Sequence, residues 1–71
     1  MTTAEEIEAL FGGRAYVRER ELLAVLQLSH STLWRWERDG LFPVASRFGS
    51  RVKAWRVKDI VRWLVGREGG P

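Results

Sequence analysis

The stretch SHSTLWRWERDGLFP, residues 29–43, contains the signals for the beginning, the body and the end of one short helix. Ser29 is a good N-cap, since its hydroxyl can accept a hydrogen bond from a backbone N–H that the first turn leaves without a partner. Gly40 stands where the chain must leave the helix at positive φ, and Pro43 prevents the helix from continuing. The stretch therefore predicts a helix over residues 30–39.

The predicted helix has two chemically different faces. At about 3.6 residues per turn, Leu33 and Trp36 fall close together on the side that also carries Gly40, so they should face the core. The opposite side collects Ser31, Trp34, Arg35 and Arg38. A hydroxyl, an indole and guanidinium groups without an acid suit base edges and phosphates in a DNA major groove. An ordinary solvated face is the alternative, and for Trp34 partial packing and a backbone contact both stay open.

The neighbouring segments complete a winged helix-turn-helix. Residues 15–17 predict an extended segment, residues 18–26 predict a helix, and Gln27-Leu28 forms the turn before the helix at residues 30–39. Residues 44–55 predict a β-hairpin, because short apolar and polar runs flank a Gly-Ser turn pair. Two short helices joined by a tight turn and followed by a basic hairpin make this fold. We therefore expect a mainly α protein with a small β-hairpin.

The hairpin concentrates polar and basic side chains near its turn. These candidates are Arg47, Ser50, Arg51 and Lys53. A basic wing of this kind lies over the DNA backbone or enters a minor groove. The alternative is that its charges only protect an exposed edge strand.

The remaining segments predict a short N-terminal helix and a last helix over residues 57–65. We expect three units: an acidic helical extension at residues 1–13, the DNA-binding domain at residues 14–66, and a flexible tail at residues 67–71. The extension either docks on the domain, joins a partner or frays, since so short a helix is marginal alone. We expect the domain to fold without it. Its apolar side consists of Ile7, Leu10 and Phe11.

The charge and the composition of the chain narrow the range of possible functions. The chain of 71 residues allows one domain. Its net charge is +3, but residues 14–71 hold all twelve basic residues and carry +6. A body this basic attracts polyanions such as nucleic acid. Most of these residues are arginines, which suit bidentate contacts with phosphate and guanine.

The same composition argues against chemistry and against membranes. The chain has no cysteine and a single histidine, His30, so no disulfide, thiolate or His-based zinc site is expected. No apolar run approaches the roughly 18 residues of a membrane span, and no glycine-rich loop precedes a Lys-Ser/Thr pair. We expect a cytoplasmic protein that is neither an enzyme nor a carrier of metal or cofactor, and that joins the nucleoid when bound to DNA.

An ordered set of short motifs resembles the AlpA family, which is grouped with phage excisionases and is similar to the MerR-type winged helix. The motifs are LSHSTLWR at residues 28–35, GLFP at 40–43, FGSR at 48–51, WR at 55–56 and WL at 63–64. The resemblance covers about residues 16–65. It implies a small prokaryotic or phage transcriptional regulator, or a recombination accessory factor.

The resemblance also implies a site. Carried over by position, Ser31, Thr32 and Arg35 would contact DNA from the helix, and Arg51 from the wing. With the candidates from the helix faces and caps, the recognition-helix set is Ser29, His30, Ser31, Thr32, Trp34, Arg35 and Arg38. His30 is predicted as a helix-start residue that can reach a phosphate.

The sequence departs from the family pattern at three places. Gln27 replaces a frequent glycine in the turn, and Ala45 replaces a second proline. Ala54 stands where the family has a basic residue, with Lys53 one place earlier. Because neighbouring residues of a strand point to opposite faces, the direction of the Lys53 side chain stays open.

Several functions remain compatible with the sequence. The leading hypothesis is sequence-specific binding of double-stranded DNA. Its variants are an architectural protein whose copies lie side by side on DNA, a recombination factor that meets an integrase, and a terminase small-subunit DNA-binding domain. A protein-interaction module, with residues 1–13 and Trp34 as contacts, is the alternative from a different class.

Overall fold

The computed structural model describes residues 3–68, which form four helices and one three-stranded antiparallel sheet. The elements are α1 (Ala4–Leu10), β1 (Tyr16–Arg18), α2 (Glu19–Leu26), α3 (His30–Arg38), β2 (Ser46–Phe48), β3 (Val52–Arg56) and α4 (Val57–Glu68). The helix pair α2–α3 followed by the β2–β3 hairpin is a winged helix-turn-helix. The predicted fold class is therefore confirmed.

The ends of α3 follow the predicted capping. The Ser29 hydroxyl accepts from the Thr32 backbone N–H at 3.1 Å. At the other end Gly40 takes φ 70°, and the following Leu41 N–H bonds to the Trp36 carbonyl at 2.8 Å. This closure satisfies a carbonyl of the last turn and turns the chain toward the wing.

The sheet adds a strand that the sequence did not assign to it. Its order is β1-β3-β2, with Val17 opposite Trp55 on one side and Arg47 opposite Lys53 on the other. The extended segment before α2 was predicted without a partner. Its pairing joins residues nearly forty positions apart in the chain, and such pairing leaves no local pattern.

The core lies between the sheet and the helices. The most completely buried side chains are Trp55, Phe11, Leu22, Leu33, Ile60 and Val17. The Trp55 indole N–H donates to the Pro43 carbonyl at 3.2 Å, which ties the loop after α3 to the sheet. Trp36 and Trp63 are half-buried and pack with Phe42 at the edge of the core. Leu33 faces the core as predicted, and Trp36 covers its rim.

Helix α1 docks on the body, which is one of the three outcomes left open. Ile7 is 2% exposed and Phe11 is 0% exposed, and the helix packs against α4. Leu10, predicted on the same apolar side, is exposed. The predicted extension therefore supplies two side chains of the core, and we expect removal of residues 1–13 to lower the stability of the domain. The periodicity of α1 indicated an apolar face but could not identify what covers it.

The last helix is longer than predicted. It continues through Gly66 to Glu68, so Arg67 and Glu68 are helical rather than part of a tail. The Arg67 guanidinium lies 4.8 Å from the Trp63 ring centre and 5.8 Å from that of Trp36, a cation–π arrangement that favours the extra turn. The rest of the predicted tail, residues 69–71, lies outside the described residues.

Candidate nucleic-acid interface

The exposed side of α3 carries the side chains predicted for it. Ser31, Trp34, Arg35 and Arg38 are all exposed. Leu33, on the opposite side, is fully buried, and Thr32 is half-buried between the two faces. The fold therefore fixes this helix by one face and leaves a polar, basic face available to a partner.

Hydrogen bonds connect the cap of α3 to Arg35. The Ser29 hydroxyl donates to Thr32 Oγ1 at 2.9 Å, and Arg35 Nη2 donates to the same oxygen at 3.4 Å. The Thr32 hydroxyl oxygen therefore accepts hydrogen bonds from two donors, Ser29 and Arg35. The contact uses one N–H of the Arg35 fork and leaves the others for a ligand.

Trp34 and Arg38 form a second unit on the same face. The Arg38 guanidinium lies 5.0 Å from the Trp34 ring centre, and its Nε donates to Asp39 Oδ1 at 3.0 Å. The Trp34 side chain is 55% exposed, so both roles predicted for it, partial packing and a contact with the DNA backbone, stay open. Its ring provides an apolar surface beside charges, and the nearby carboxylate weakens the field of Arg38.

His30 joins the first turns of the two helices. Its Nδ1 lies 2.7 Å from Glu19 Oε2, and the side chain is largely exposed. The contact holds the imidazole at the beginning of α3, where backbone N–H groups can bind an anion. Nε2 is then the ring nitrogen that could reach a phosphate.

The predicted wing residues separate into two groups. Arg47, Ser50 and Arg51 are exposed around the turn, where Gly49 takes φ 76°. Lys53 instead points toward α3, and its Nζ lies 3.0 Å from Glu37 Oε1. Glu37 was not predicted to belong to the site, because no local pattern relates two residues that are 16 positions apart.

Packing on the outer face of the sheet explains why Ala54 stands where the family pattern has a basic residue. Tyr16 and Phe48 come from the two outer strands and meet edge to face, with ring centres 5.1 Å apart. Ala54 lies on the central strand between them and is only 3% exposed. A long basic side chain would not fit beneath these rings, and Lys53 carries its charge on the opposite face.

Beside this aromatic pair, a hydrogen bond with Tyr16 and the nearby charge of Asp59 raise the pKa of Arg56 above its ordinary value. Like other arginines, Arg56 is positively charged at neutral pH, and it places this charge at the end of β3. No cluster of acidic or histidine side chains within residues 3–68 could hold a metal ion. In the same range, none of the helices has the length and apolar character needed to cross a membrane.

These elements define a winged helix-turn-helix protein. The second helix of its helix-turn-helix motif, α3, has a basic exposed face, and the tip of its wing is also basic. The family model described as prophage CP4-57 regulatory protein (AlpA) matches residues 15–67. The chain therefore belongs to the AlpA family of phage-type regulatory proteins, and the resemblance of its motifs is confirmed.

A phage protein supports this assignment. The chain is 31% identical over 55 residues to the uncharacterized protein ORF88 of Enterobacteria phage P4. The match covers 78% of this chain and 62% of that protein, so the chain spans less than two thirds of its relative's length. No solved structure matches the chain significantly.

Proposed function

We propose that the chain is a regulator that binds double-stranded DNA in a sequence-specific manner, with α3 as the recognition helix. The observation that carries this proposal is the exposed face of α3, where Ser31, Trp34, Arg35 and Arg38 lie together without an acid on the face itself. The basic charge of residues 14–71 and membership in a regulatory family agree with a DNA partner.

In the proposed complex α3 lies in the major groove. Arg35 donates to O6 and N7 of a guanine, the bidentate contact that arginine makes most often with a base. Ser31 and His30 lie nearer the helix N-terminus, where free N–H groups and the helix dipole favour a phosphate. Trp34 provides apolar contact to the sugar-phosphate edge, beside Arg38.

The wing contributes affinity rather than base discrimination. Arg47, Ser50 and Arg51 surround an exposed turn, and side chains in that position meet phosphates or a narrow minor groove. Lys53 is not among the proposed contacts, because its ammonium is paired with Glu37. Specificity is therefore assigned to α3 and the salt-dependent part of binding largely to the wing.

The test uses a duplex obtained by in vitro selection with the wild-type protein and a scrambled duplex of equal length. Arg35→Ala should reduce discrimination between the two by about 1–3 kcal/mol. Arg62→Ala is the matched control, since it removes the same charge from an exposed position on α4. If Arg35→Ala weakens both duplexes equally, Arg35 is a phosphate contact and α3 does not read bases through it.

The regulatory role can be transcriptional or recombinational. A second copy bound alongside on DNA and an integrase are the further partners that the family resemblance implies. Titration of a duplex that holds one or two adjacent sites separates independent from cooperative binding. Addition of the integrase then shows whether it binds the protein–DNA complex more tightly than DNA alone.

A further inference from the structure

The pair Glu37–Lys53 connects the recognition helix to the wing. Glu37 lies on α3 and Lys53 on β3, and their charged atoms are 3.0 Å apart. Both side chains are largely shielded, with 23% and 29% exposed. Glu37 and Lys53 therefore belong to the two elements that contact DNA in the proposed function.

The Lys53 side chain packs against the core. The Lys53 ammonium lies 4.9 Å from the ring centre of Trp55, and Trp55 is fully buried and bonded to the Pro43 carbonyl. Strand β1 pairs with β3 only at residues 54–56, so the part of the hairpin nearer the turn is a two-stranded ribbon, which has little stability of its own. Contacts at the base of this ribbon therefore decide where its tip lies. On the opposite sheet face the Tyr16–Phe48 contact supports the same hairpin.

The position of Lys53 allows it to hold the base of the hairpin in place. Arg47 is its cross-strand partner, so both side chains project from the sheet face that also carries Trp55. Arg51 lies two residues nearer the tip, in the turn between β2 and β3. A change in the angle of the ribbon at Lys53 would therefore displace Arg51 relative to α3.

We propose that Glu37 and Lys53 are positioning residues that fix the wing relative to α3, so that both elements reach the same duplex at once. This inference rests on the proposed function. When two binding elements are held in the geometry of their target, the second contact forms without a further entropic cost. Loss of the pair should therefore reduce what the wing contributes to affinity while α3 keeps its own contacts.

A double-mutant cycle tests the inference on the selected duplex. Arg51→Ala in the wild-type protein should weaken binding about tenfold, the order for one charge-assisted contact. In the Glu37→Gln background the same change should weaken binding less than about threefold, because the wing is no longer held. The charge swap Glu37→Lys with Lys53→Glu should restore most of the Arg51 effect.

Glu21→Gln is the matched control. It removes one acid from another ion pair, Arg14–Glu21, which lies outside α3 and the wing. With this change the Arg51→Ala effect should remain about tenfold. Lys53→Met, which keeps an apolar side chain over Trp55, provides a second test if Glu37→Gln lowers the melting temperature.

The outcomes separate the inference from the function on which it rests. An Arg51→Ala effect of equal size with and without Glu37 overturns the positioning role and leaves DNA binding intact. Tighter binding by Glu37→Gln, with the Arg51 effect unchanged, shows that Lys53 is a masked DNA contact and also overturns it. If Arg51→Ala has no effect in the wild type, the wing has no place in the proposed function and the inference fails with it.

Discussion

Helices α1 and α3 are similar in length, with seven and nine residues. The sequence nevertheless predicts the packing of α3 much more completely than the packing of α1. Each begins with a hydroxyl residue that accepts from a backbone N–H three residues on. In α3 the buried and exposed faces differ so strongly in chemistry that the local pattern predicts which side packs. In α1 the pattern shows an apolar side, but α4 decides which residues of that side are buried. Local signals define a helix and its faces, whereas its place in the fold depends on distant partners.

Helix α1 depends most on distant partners at Phe11, which is fully buried. Phe11→Ala should lower the free energy of unfolding by about 3–5 kcal/mol, because the removed ring leaves a cavity among fully buried neighbours. In so small a domain that loss can abolish folding. Leu10→Ala, one residue away and exposed, should change stability by less than about 0.5 kcal/mol. Urea unfolding followed by circular dichroism measures both, and equal effects would mean that α1 is not docked through Phe11.

A second test concerns the sheet, where packing also overrides the family pattern. Ala54→Lys should destabilise the fold by about 1–3 kcal/mol, since the longer side chain must displace Tyr16 and Phe48. Phe48→Ala removes one of the two rings and should make the lysine tolerable, so the double variant should lose less than the sum of the single changes. Additive losses would show that the two rings do not restrict residue 54.

The features that the sequence predicted are those with local causes. The cap at Ser29, the exit at Gly40 and the burial of Leu33 depend on residues within a few positions of one another. The contacts it could not predict join distant segments: β1 with β3, α1 with α4, and the Trp63 indole N–H with the Leu41 carbonyl at 2.9 Å. The candidate site divides in the same way. The exposed face of α3 follows from its period, but the inward direction of Lys53 follows from Glu37.

Thr32 on α3 either contacts DNA itself or holds Arg35 in position. Thr32→Val keeps the shape but removes the oxygen that accepts from Arg35 Nη2. Affinity for the selected duplex should fall by about 1 kcal/mol, the net value of one such hydrogen bond. Thr32→Ser keeps the hydroxyl and should bind like the wild type. In an Arg35→Ala background Thr32→Val should have no further effect, and a full additional loss would make Thr32 a DNA contact itself.

The smallest expected effect lies at the turn between α2 and α3. Gln27 takes φ 55°, a left-handed conformation that costs a residue with a Cβ roughly 1–2 kcal/mol. Glycine adopts this conformation without strain but loses more chain entropy on folding, by about 0.5–1 kcal/mol. Gln27→Gly should therefore raise the free energy of unfolding by no more than about 1 kcal/mol, and Gln27→Val, which is β-branched, should lower it. Thermal unfolding of the three proteins gives the order Gly, Gln, Val. A lower melting temperature for Gln27→Gly would show that the glutamine side chain makes a stabilising contact that outweighs the backbone strain, and the turn would then depend on a distant partner as α1 does.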